Sequence, residues 1–172
     1  ILFYVFVYTI WLKRKTPQNI VIGGASGALP PVIGWAIATN SISLESIAFF
    51  LIIFFWTPSH FWALSLYKAD DYKKAGIPML PVTNGIQDTK KNILIYSLLM
   101  IPTIVFPYYI GFVGEVFLTL SLLLTFYYNL ICFQLYNYKV GKFNIKKARH
   151  IFSYSIIYLF LIFVFFLVDK VL

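Results

Sequence analysis

The sequence predicts an all-α, polytopic bundle of transmembrane helices, and three observations support this fold class. The 172-residue chain is 60% hydrophobic and has a mean hydropathy of +0.82, which is more than a soluble domain of this size needs. Its apolar runs are long and continuous, unlike the alternating strands of a membrane barrel. Helices satisfy their own backbone hydrogen bonds in lipid, so each run of about 20 apolar residues predicts one membrane crossing.

Six apolar runs predict spans, which together form a single domain over residues 1–172. The predicted spans are 1–12, 17–39, 44–67, 92–110, 115–138 and 149–168, and the longest polar loop is 68–91. Thr16 and Pro17 fit the N-cap and first position of the second helix, and Ser43 with Glu45 fits the start of the third. The first run has no initial methionine and no charged signal-peptide start. It is therefore interpreted as the second half of a helix, with more of the protein upstream.

Basic residues segregate to alternate loops, which supports this order of spans. One side of the membrane holds 13 of the 14 basic residues, namely Lys13, Arg14, Lys15, Lys68, Lys73, Lys74, Lys90, Lys91, Lys139, Lys142, Lys146, Lys147 and Arg149. The positive-inside rule predicts that these loops face the cytoplasm or its topological equivalent. We expect a bacterial inner membrane, with a mitochondrial inner membrane as the less favoured alternative. The lysines of 139–147 are explained by the orientation of the protein in the membrane and by attraction to anionic lipid, without a ligand-binding role. Nucleic-acid binding is not predicted, because the charge lies at membrane ends and not on a folded basic face.

The second span combines small residues with adjacent prolines. Gly23 and Gly27 form a GxxxG pair, which allows helix backbones to approach closely. Pro30 and Pro31 remove two backbone donors and predict a kink near the middle of the membrane. A tight helix crossing and an opening for a bulky ligand both fit this pattern.

The third span carries a histidine deep in the apolar region. His60 precedes Lys68 by eight residues, which places it about 12 Å inside the membrane at 1.5 Å per residue. An imidazole at that depth is unfavourable against lipid, so it should face the bundle interior. Trp56 lies one turn away on the same face. Packing and a functional role are both open for His60.

Two adjacent carboxylates follow the third span. Asp70 and Asp71 lie in a lysine-rich loop and could form part of a solvated charge cluster. They could also bind Mg²⁺, which proteins hold through one or two carboxylates together with substrate phosphates. Lys73 and Lys74, and Lys13 with Arg14 from the same-side loop, would then contact phosphate oxygens. The residues thus suggest a membrane-embedded site for a phosphorylated, lipid-like substrate.

Two long stretches resemble one enzyme family. YTIWLKRKTPQNIVIGGASGALPPVIGW at 8–35 and WTPSHFWALSLYKADDYKKAGIPMLPV at 56–82 are similar to the protohaem IX farnesyltransferase (haem O synthase) family of UbiA-type intramembrane prenyltransferases. The resemblance implies a nine-span helical bundle with Mg²⁺ at a cytoplasmic-side active site, and about six of those spans are present here. It also implies transfer of a farnesyl group from farnesyl diphosphate to a vinyl group of haem b. Contact with haem A synthase or a terminal oxidase assembly is a further expectation.

The resemblance assigns expected roles to individual residues. Asp71, with Asp70 beside it, falls in the family's second acidic loop and is expected to bind metal and serve catalysis. Lys13 and Arg14 fall in its basic loop, where diphosphate contact is expected. His60 falls in the T-P-x-H-F-W segment, where contact with haem or with a carbocation is expected.

Aromatic rings and one departure from related enzymes complete the comparison. Trp56 and Trp62 are candidates for stabilising an allylic cation through their ring faces. Prenyltransferases for aromatic acids or quinone precursors typically carry D-x-x-x-D in this loop, whereas Lys74 stands four residues after Asp70. This favours the haem branch over its relatives. The family's first acidic motif is expected upstream, so residues 1–172 alone are predicted to be inactive.

Two alternatives remain at this point. A quinone-precursor prenyltransferase of the same superfamily would differ in its acceptor. A transporter or channel subunit would also show broken helices and a deep histidine, but it would move a solute without forming a covalent product.

Overall fold

The described chain is entirely helical, as the sequence predicted. The computed structural model describes residues 2–138 and 145–171, so Lys139 and Lys142 of the predicted basic loop lie outside the described residues. A π-helical segment, Phe3–Leu12, is followed by α1 (Asn19–Thr39), α2 (Leu44–Tyr67), α3 (Ala69–Lys74), α4 (Leu80–Thr83), α5 (Gly85–Tyr109), α6 (Glu115–Tyr136) and α7 (Ile145–Val171). No β-strand occurs in this part of the chain.

Five helices are long and apolar enough to cross a membrane. They are α1, α2, α5, α6 and α7, and they confirm five of the six predicted spans. The π-helical segment has only 10 residues, about half of what a crossing requires. Its interpretation as the end of a span stays a prediction.

Several predicted boundaries were wrong, and the errors share a cause. α5 begins at Gly85 and not at residue 92, and α7 begins at Ile145 and not at residue 149. The predicted loop 68–91 contains two short helices and the first turns of α5. Hydropathy marks where a helix is apolar, whereas backbone hydrogen bonds continue the helix into polar turns.

The two predicted helix starts had different outcomes. α2 begins at Leu44 directly after Ser43, whose backbone N–H donates to Ser46 Oγ at 3.2 Å, as the sequence suggested. The prediction for Thr16 and Pro17 was wrong. Thr16 Oγ1 accepts the backbone N–H of Gln18 at 3.2 Å, and this turn delays the start of α1 to Asn19.

α2 is the central helix of the bundle. It packs against α1, α5 and α7, while α6 packs against both α5 and α7. Large side chains such as Ile52, Trp62, Phe117 and Tyr158 are fully buried between these helices. α1 is the least enclosed of the five spans. The side of α1 that faces α2 therefore becomes the wall of an open cavity, described below.

Buried polar pairs join neighbouring helices. The hydroxyls of Ser59 and Tyr128 lie 2.8 Å apart and connect α2 to α6. Those of Thr125 and Tyr158 lie 2.9 Å apart and connect α6 to α7. Apolar side chains gain little by leaving lipid for one another, so interhelical hydrogen bonds and close packing stabilise such a bundle.

The end of the bundle with few basic residues is held by the last turn of α7. Asp169 accepts the backbone N–H groups of Gly114 at 2.7 Å and Phe117 at 3.1 Å. These are donors at the start of α6, which have no partner within that helix. Lys170 Nζ donates to the carbonyl of Phe112. Together the two charged residues tie the end of α7 to the start of α6.

Candidate active site

A cavity of about 290 Å³ lies between the π-helical segment, α1 and α2. Glycines of α1, namely Gly23, Gly24 and Gly27, form part of its lining. Aromatic rings, including those of Tyr8 and Trp56, form another part. A concave, largely apolar and aromatic site is typical of binding sites for apolar ligands.

The three glycines have different environments. A Cβ atom added to Gly23 would lie 2.6 Å from the ring of Tyr8, and one added to Gly24 would lie 3.1 Å from Thr57 Cγ2. A Cβ added to Gly27 would have no neighbour within 4 Å. The expected close approach at a Gly23–Gly27 pair is thus wrong for Gly27. The tight contacts are at Gly23 and Gly24, and Gly27 leaves open space.

Trp56 is held in the cavity wall by α7 and by its own helix. Its indole Nε1 donates to the backbone carbonyl of Ser155 at 2.8 Å. One face of the indole stacks on His60, with ring centroids 4.3 Å apart and an interplanar angle of 19°. On its other side the His60 ring stacks on Phe152, with centroids 4.6 Å apart. Three aromatic rings therefore form one continuous stack.

His60 lies behind the cavity wall and does not contribute to the cavity lining. It is buried, with 7% of its surface exposed, and its Nδ1 lies 2.6 Å from Ser155 Oγ. It faces the bundle interior, as its depth predicted. Its neighbours are the rings of Trp56, Phe61 and Phe152, and of these Trp56 and Phe61 line the cavity.

The two aromatic candidates for cation stabilisation are separated by the structure. Trp56 lines the cavity. Trp62 is fully buried in the bundle core, where its ring meets that of Tyr96 edge-on at 5.2 Å. Only Trp56 is therefore placed to contact a ligand in this cavity.

Asp70 and Asp71 lie on the short helix α3, and both are exposed. Asp71 Oδ2 accepts a hydrogen bond from Lys68 Nζ at 3.0 Å. The hydrogen bond and charge of Lys68 hold the pKa of Asp71 below its usual value, and the charge of Lys74 acts in the same direction. The Asp71 carboxylate is thus ionised and accessible at neutral pH. Adjacent residues on a helix do not face each other, so Asp70 and Asp71 are not a directly opposed pair.

The donor set for a metal ion is incomplete in the described part of the chain. No group of three or more His, Cys, Asp or Glu side chains comes together there. Mg²⁺ prefers oxygen ligands and is often held by one or two carboxylates plus substrate phosphates and water. The exposed carboxylates of Asp70 and Asp71 have the right chemistry for a share in such a site.

The basic loop reaches the cavity through Tyr8. Lys13 Nζ lies 6.0 Å from the centre of the Tyr8 ring, and the Lys13 carbonyl accepts a hydrogen bond from Asn19 Nδ2 at 3.1 Å. Tyr8 therefore connects the cavity to the basic loop. Arg14 is exposed in the same loop.

Two basic residues outside that loop take positions that hydropathy did not predict. Lys90, expected in a polar loop, is fully buried, and its Nζ donates to the carbonyl of Tyr138 at 2.6 Å. The Arg149 guanidinium lies 5.4 Å from the centre of the Tyr67 ring, beside the end of α2. The described basic residues thus include structural contacts as well as surface charge.

Tyr8, Phe152 and Ser155 were missed by sequence reasoning. Tyr8 begins the first of the two stretches that resemble the family, which was an available signal. Phe152 and Ser155 lie outside both stretches, and nothing local distinguishes them from other residues of an apolar helix.

Comparison with known proteins gives a consistent family assignment. The sequence profile of the UbiA prenyltransferase family matches residues 1–161. A protein named Protoheme IX farnesyltransferase from Pelagibacter ubique (strain HTCC1062) is 77% identical over 172 residues, which is 100% of this chain and 57% of that protein. Proteins of the same name from Parvibaculum lavamentivorans and Azorhizobium caulinodans are 50% and 52% identical, over 100% and 95% of this chain and 54% and 53% of theirs.

The chain spans about half the length of the curated relatives it matches. No solved structure matches it. Five apolar helices and the profile match agree on an integral membrane protein. Because the profile covers nearly all of the sequence, the chain belongs to the UbiA prenyltransferase family.

Proposed function

We propose that the full-length protein transfers a farnesyl group from farnesyl diphosphate to a vinyl group of haem b, giving haem O and releasing diphosphate. The observation that carries this proposal is the 77% identity, over the whole of this chain, to a protein named Protoheme IX farnesyltransferase. The lack of a second aspartate four residues after Asp70 supports haem over a quinone precursor as acceptor. We also propose that the enzyme lies in a bacterial inner membrane, with its basic loops in the cytoplasm.

The proposed site has two regions, a charged region for the diphosphate group and an apolar cavity for the isoprenoid chain. Lys13, Arg14 and Lys74 bind diphosphate oxygens, with Lys as point charges and Arg as a bidentate donor. Asp71, with Asp70 beside it, would hold Mg²⁺ through carboxylate oxygens, together with oxygens of the diphosphate. An ion bound there would neutralise the charge of the departing diphosphate. The apolar, glycine-lined cavity holds the isoprenoid chain.

The reaction balances as farnesyl diphosphate plus haem b plus water giving haem O plus diphosphate. The allylic C–O bond breaks, and its electron pair leaves with the diphosphate. The terminal vinyl carbon of haem b attacks the allylic cation and forms the new C–C bond. Water then adds to the neighbouring carbon and loses a proton. Trp56, which lines the cavity, would stabilise the allylic cation through its ring.

The test is a pigment analysis of membranes from cells that express the complete gene. Haems are extracted, separated by chromatography and identified by mass. A haem heavier than haem b by one farnesyl group and one hydroxyl group is expected, and it should be absent from cells with the empty vector. A prenylated quinone precursor in place of a prenylated haem would refute the acceptor. Solute flux in proteoliposomes without any covalent product would refute the enzymatic function and favour a transporter.

A further inference from the structure

The ring of Trp56 is held by contacts that converge on one residue of α7. Its Nε1 donates to the Ser155 carbonyl at 2.8 Å, and the ring stacked on it, His60, is bound to Ser155 Oγ at 2.6 Å. Ser155 thus contacts Trp56 directly through its backbone and indirectly through its side chain. The two residues are separated by 99 positions in the sequence, so the contact depends on the packing of α2 against α7.

The hydrogen bonds determine which nitrogen of His60 carries the proton. Ser155 Oγ donates to the carbonyl of Phe152 at 2.6 Å, and a hydroxyl has a single proton to give. The same oxygen therefore accepts from His60, which must be protonated at Nδ1. This bond and the two stacking contacts restrain the imidazole both in its plane and perpendicular to it.

We propose that Ser155 and His60 are positioning residues that hold the Trp56 ring in the cavity wall, and that they influence prenyl transfer through Trp56 without touching the substrate. This inference rests on the proposed function, because Trp56 is assigned there to the allylic cation. A cation over an aromatic ring is stabilised only close to the ring face. One face of Trp56 is covered by His60, so small rotations of the indole change how the remaining face meets the cavity.

The position of His60 argues against a direct role. His60 is nine-tenths buried and does not line the cavity, whereas its neighbour Trp56 does. A group that acts on the substrate itself would need access to it. An effect of His60 on the reaction must therefore pass through the rings that it touches.

The variants are made in the full-length protein. Ser155→Ala removes the hydroxyl but keeps the backbone carbonyl that binds Trp56. His60→Phe keeps an aromatic ring in the stack but loses the bond to Ser155. Trp56→Phe removes the indole ring that Ser155 and His60 are proposed to position. Thr125→Val is the matched control, because it removes another buried interhelical hydroxyl contact, that with Tyr158, away from the cavity lining.

Kinetics and spectroscopy are measured together. We expect Ser155→Ala to lower kcat about tenfold, as misplacement of a positioned group does, while KM for farnesyl diphosphate changes less than twofold. His60→Phe should lower kcat about threefold, and Thr125→Val less than twofold. In protein labelled with 5-fluorotryptophan, the ¹⁹F resonance that disappears in Trp56→Phe should shift or broaden in Ser155→Ala and not in Thr125→Val.

A double-mutant cycle tests whether Ser155 influences kcat through Trp56. Ser155→Ala should cause no further loss of kcat when Trp56 is already phenylalanine. Additive losses would overturn the proposal, and so would a Trp56 resonance that stays unchanged in Ser155→Ala. A wild-type protein that makes no farnesylated haem would refute the proposed function instead, and the ¹⁹F measurement would still test whether Ser155 positions Trp56.

Discussion

Replacing Gly27 by leucine is expected to obstruct the cavity without disturbing the bundle. Gly27 lines the cavity, and a Cβ added there meets nothing within 4 Å. The four carbon atoms of a leucine side chain occupy roughly 120 Å³, if each takes the volume of a water molecule, about 30 Å³. This is about two fifths of the 290 Å³ cavity, so a bound isoprenoid chain loses part of its space.

The expected loss of activity follows from the displaced contacts. If the leucine displaces four methylene-sized groups of the ligand, each worth about 0.8 kcal/mol of burial, binding weakens by ~3 kcal/mol. That corresponds to a roughly hundredfold lower kcat/KM, since 1.4 kcal/mol is tenfold. Stability should not fall, because glycine is about 1 kcal/mol less favourable than alanine inside a helix.

The assay is farnesylation of haem by membranes that contain the full-length protein, with the melting temperature of the purified protein as a check on folding. Gly34→Leu is the matched control. It makes the same change on the same helix, its Cβ also meets nothing within 4 Å, and it does not line the cavity. A Gly27→Leu enzyme within about threefold of wild type, or an equal loss in Gly34→Leu, would refute the assignment of this cavity to the substrate.

Three further predictions concern the acidic helix and the far end of the bundle. Asp71→Asn should abolish haem O production while membrane insertion stays normal. Near-normal product would remove Asp71 from the site. The control is Asp88→Asn, which changes an exposed carboxylate at the start of α5 and should stay active. Chelation of divalent cations should stop farnesyl transfer and added Mg²⁺ should restore it, whereas activity that survives chelation would argue against a metal. Asp169→Asn should lower the free energy of unfolding by ~1 kcal/mol or more, because it weakens charge-assisted hydrogen bonds to two N–H groups at the start of α6. The control, Glu115→Gln in the same region, should lower it by less. An equal loss in both variants would refute a specific role for Asp169.

The ion pair on α3 makes a further prediction about pH. Lys68 holds the pKa of Asp71 in the folded protein below its usual value. The stabilisation by this ion pair is therefore fully present above the pKa of the unpaired carboxyl, and it is lost as pH falls through the lower pKa of the folded protein. Both side chains are more than half exposed, and exposed pairs contribute little to stability. We therefore expect Lys68→Gln to raise the pKa of Asp71, measured by NMR titration of the full-length protein, with almost no change in melting temperature. An unchanged pKa would contradict the pairing.

The surface position of the acidic and basic candidate residues was predictable because it depends on local sequence. Asp70 and Asp71 follow directly on a long apolar run, and Lys13 with Arg14 interrupts another. Charged residues at the ends of such runs must lie at the membrane surface, whichever helices pack together. The prediction of their side of the membrane needed no knowledge of helix contacts.

The cavity wall could not be predicted in this way. Trp56 and Trp62 lie on the same helix and carry the same side chain, yet one lines the cavity and the other is enclosed in the core. The difference depends on which neighbouring helix each indole meets. Gly23 and Gly27 are equivalent by spacing, but only Gly23 has the Tyr8 ring against it.

The sequence by itself determined the helical membrane fold, because burial in lipid acts on each segment separately. Two long stretches, 8–35 and 56–82, indicated the family. Only the tertiary structure decided that His60 stands behind Trp56 and that Ser155 holds both. Those contacts join residues 95 and 99 positions apart. Their existence depends on how α2 and α7 pack against each other, and no local pattern of hydropathy or charge records that packing.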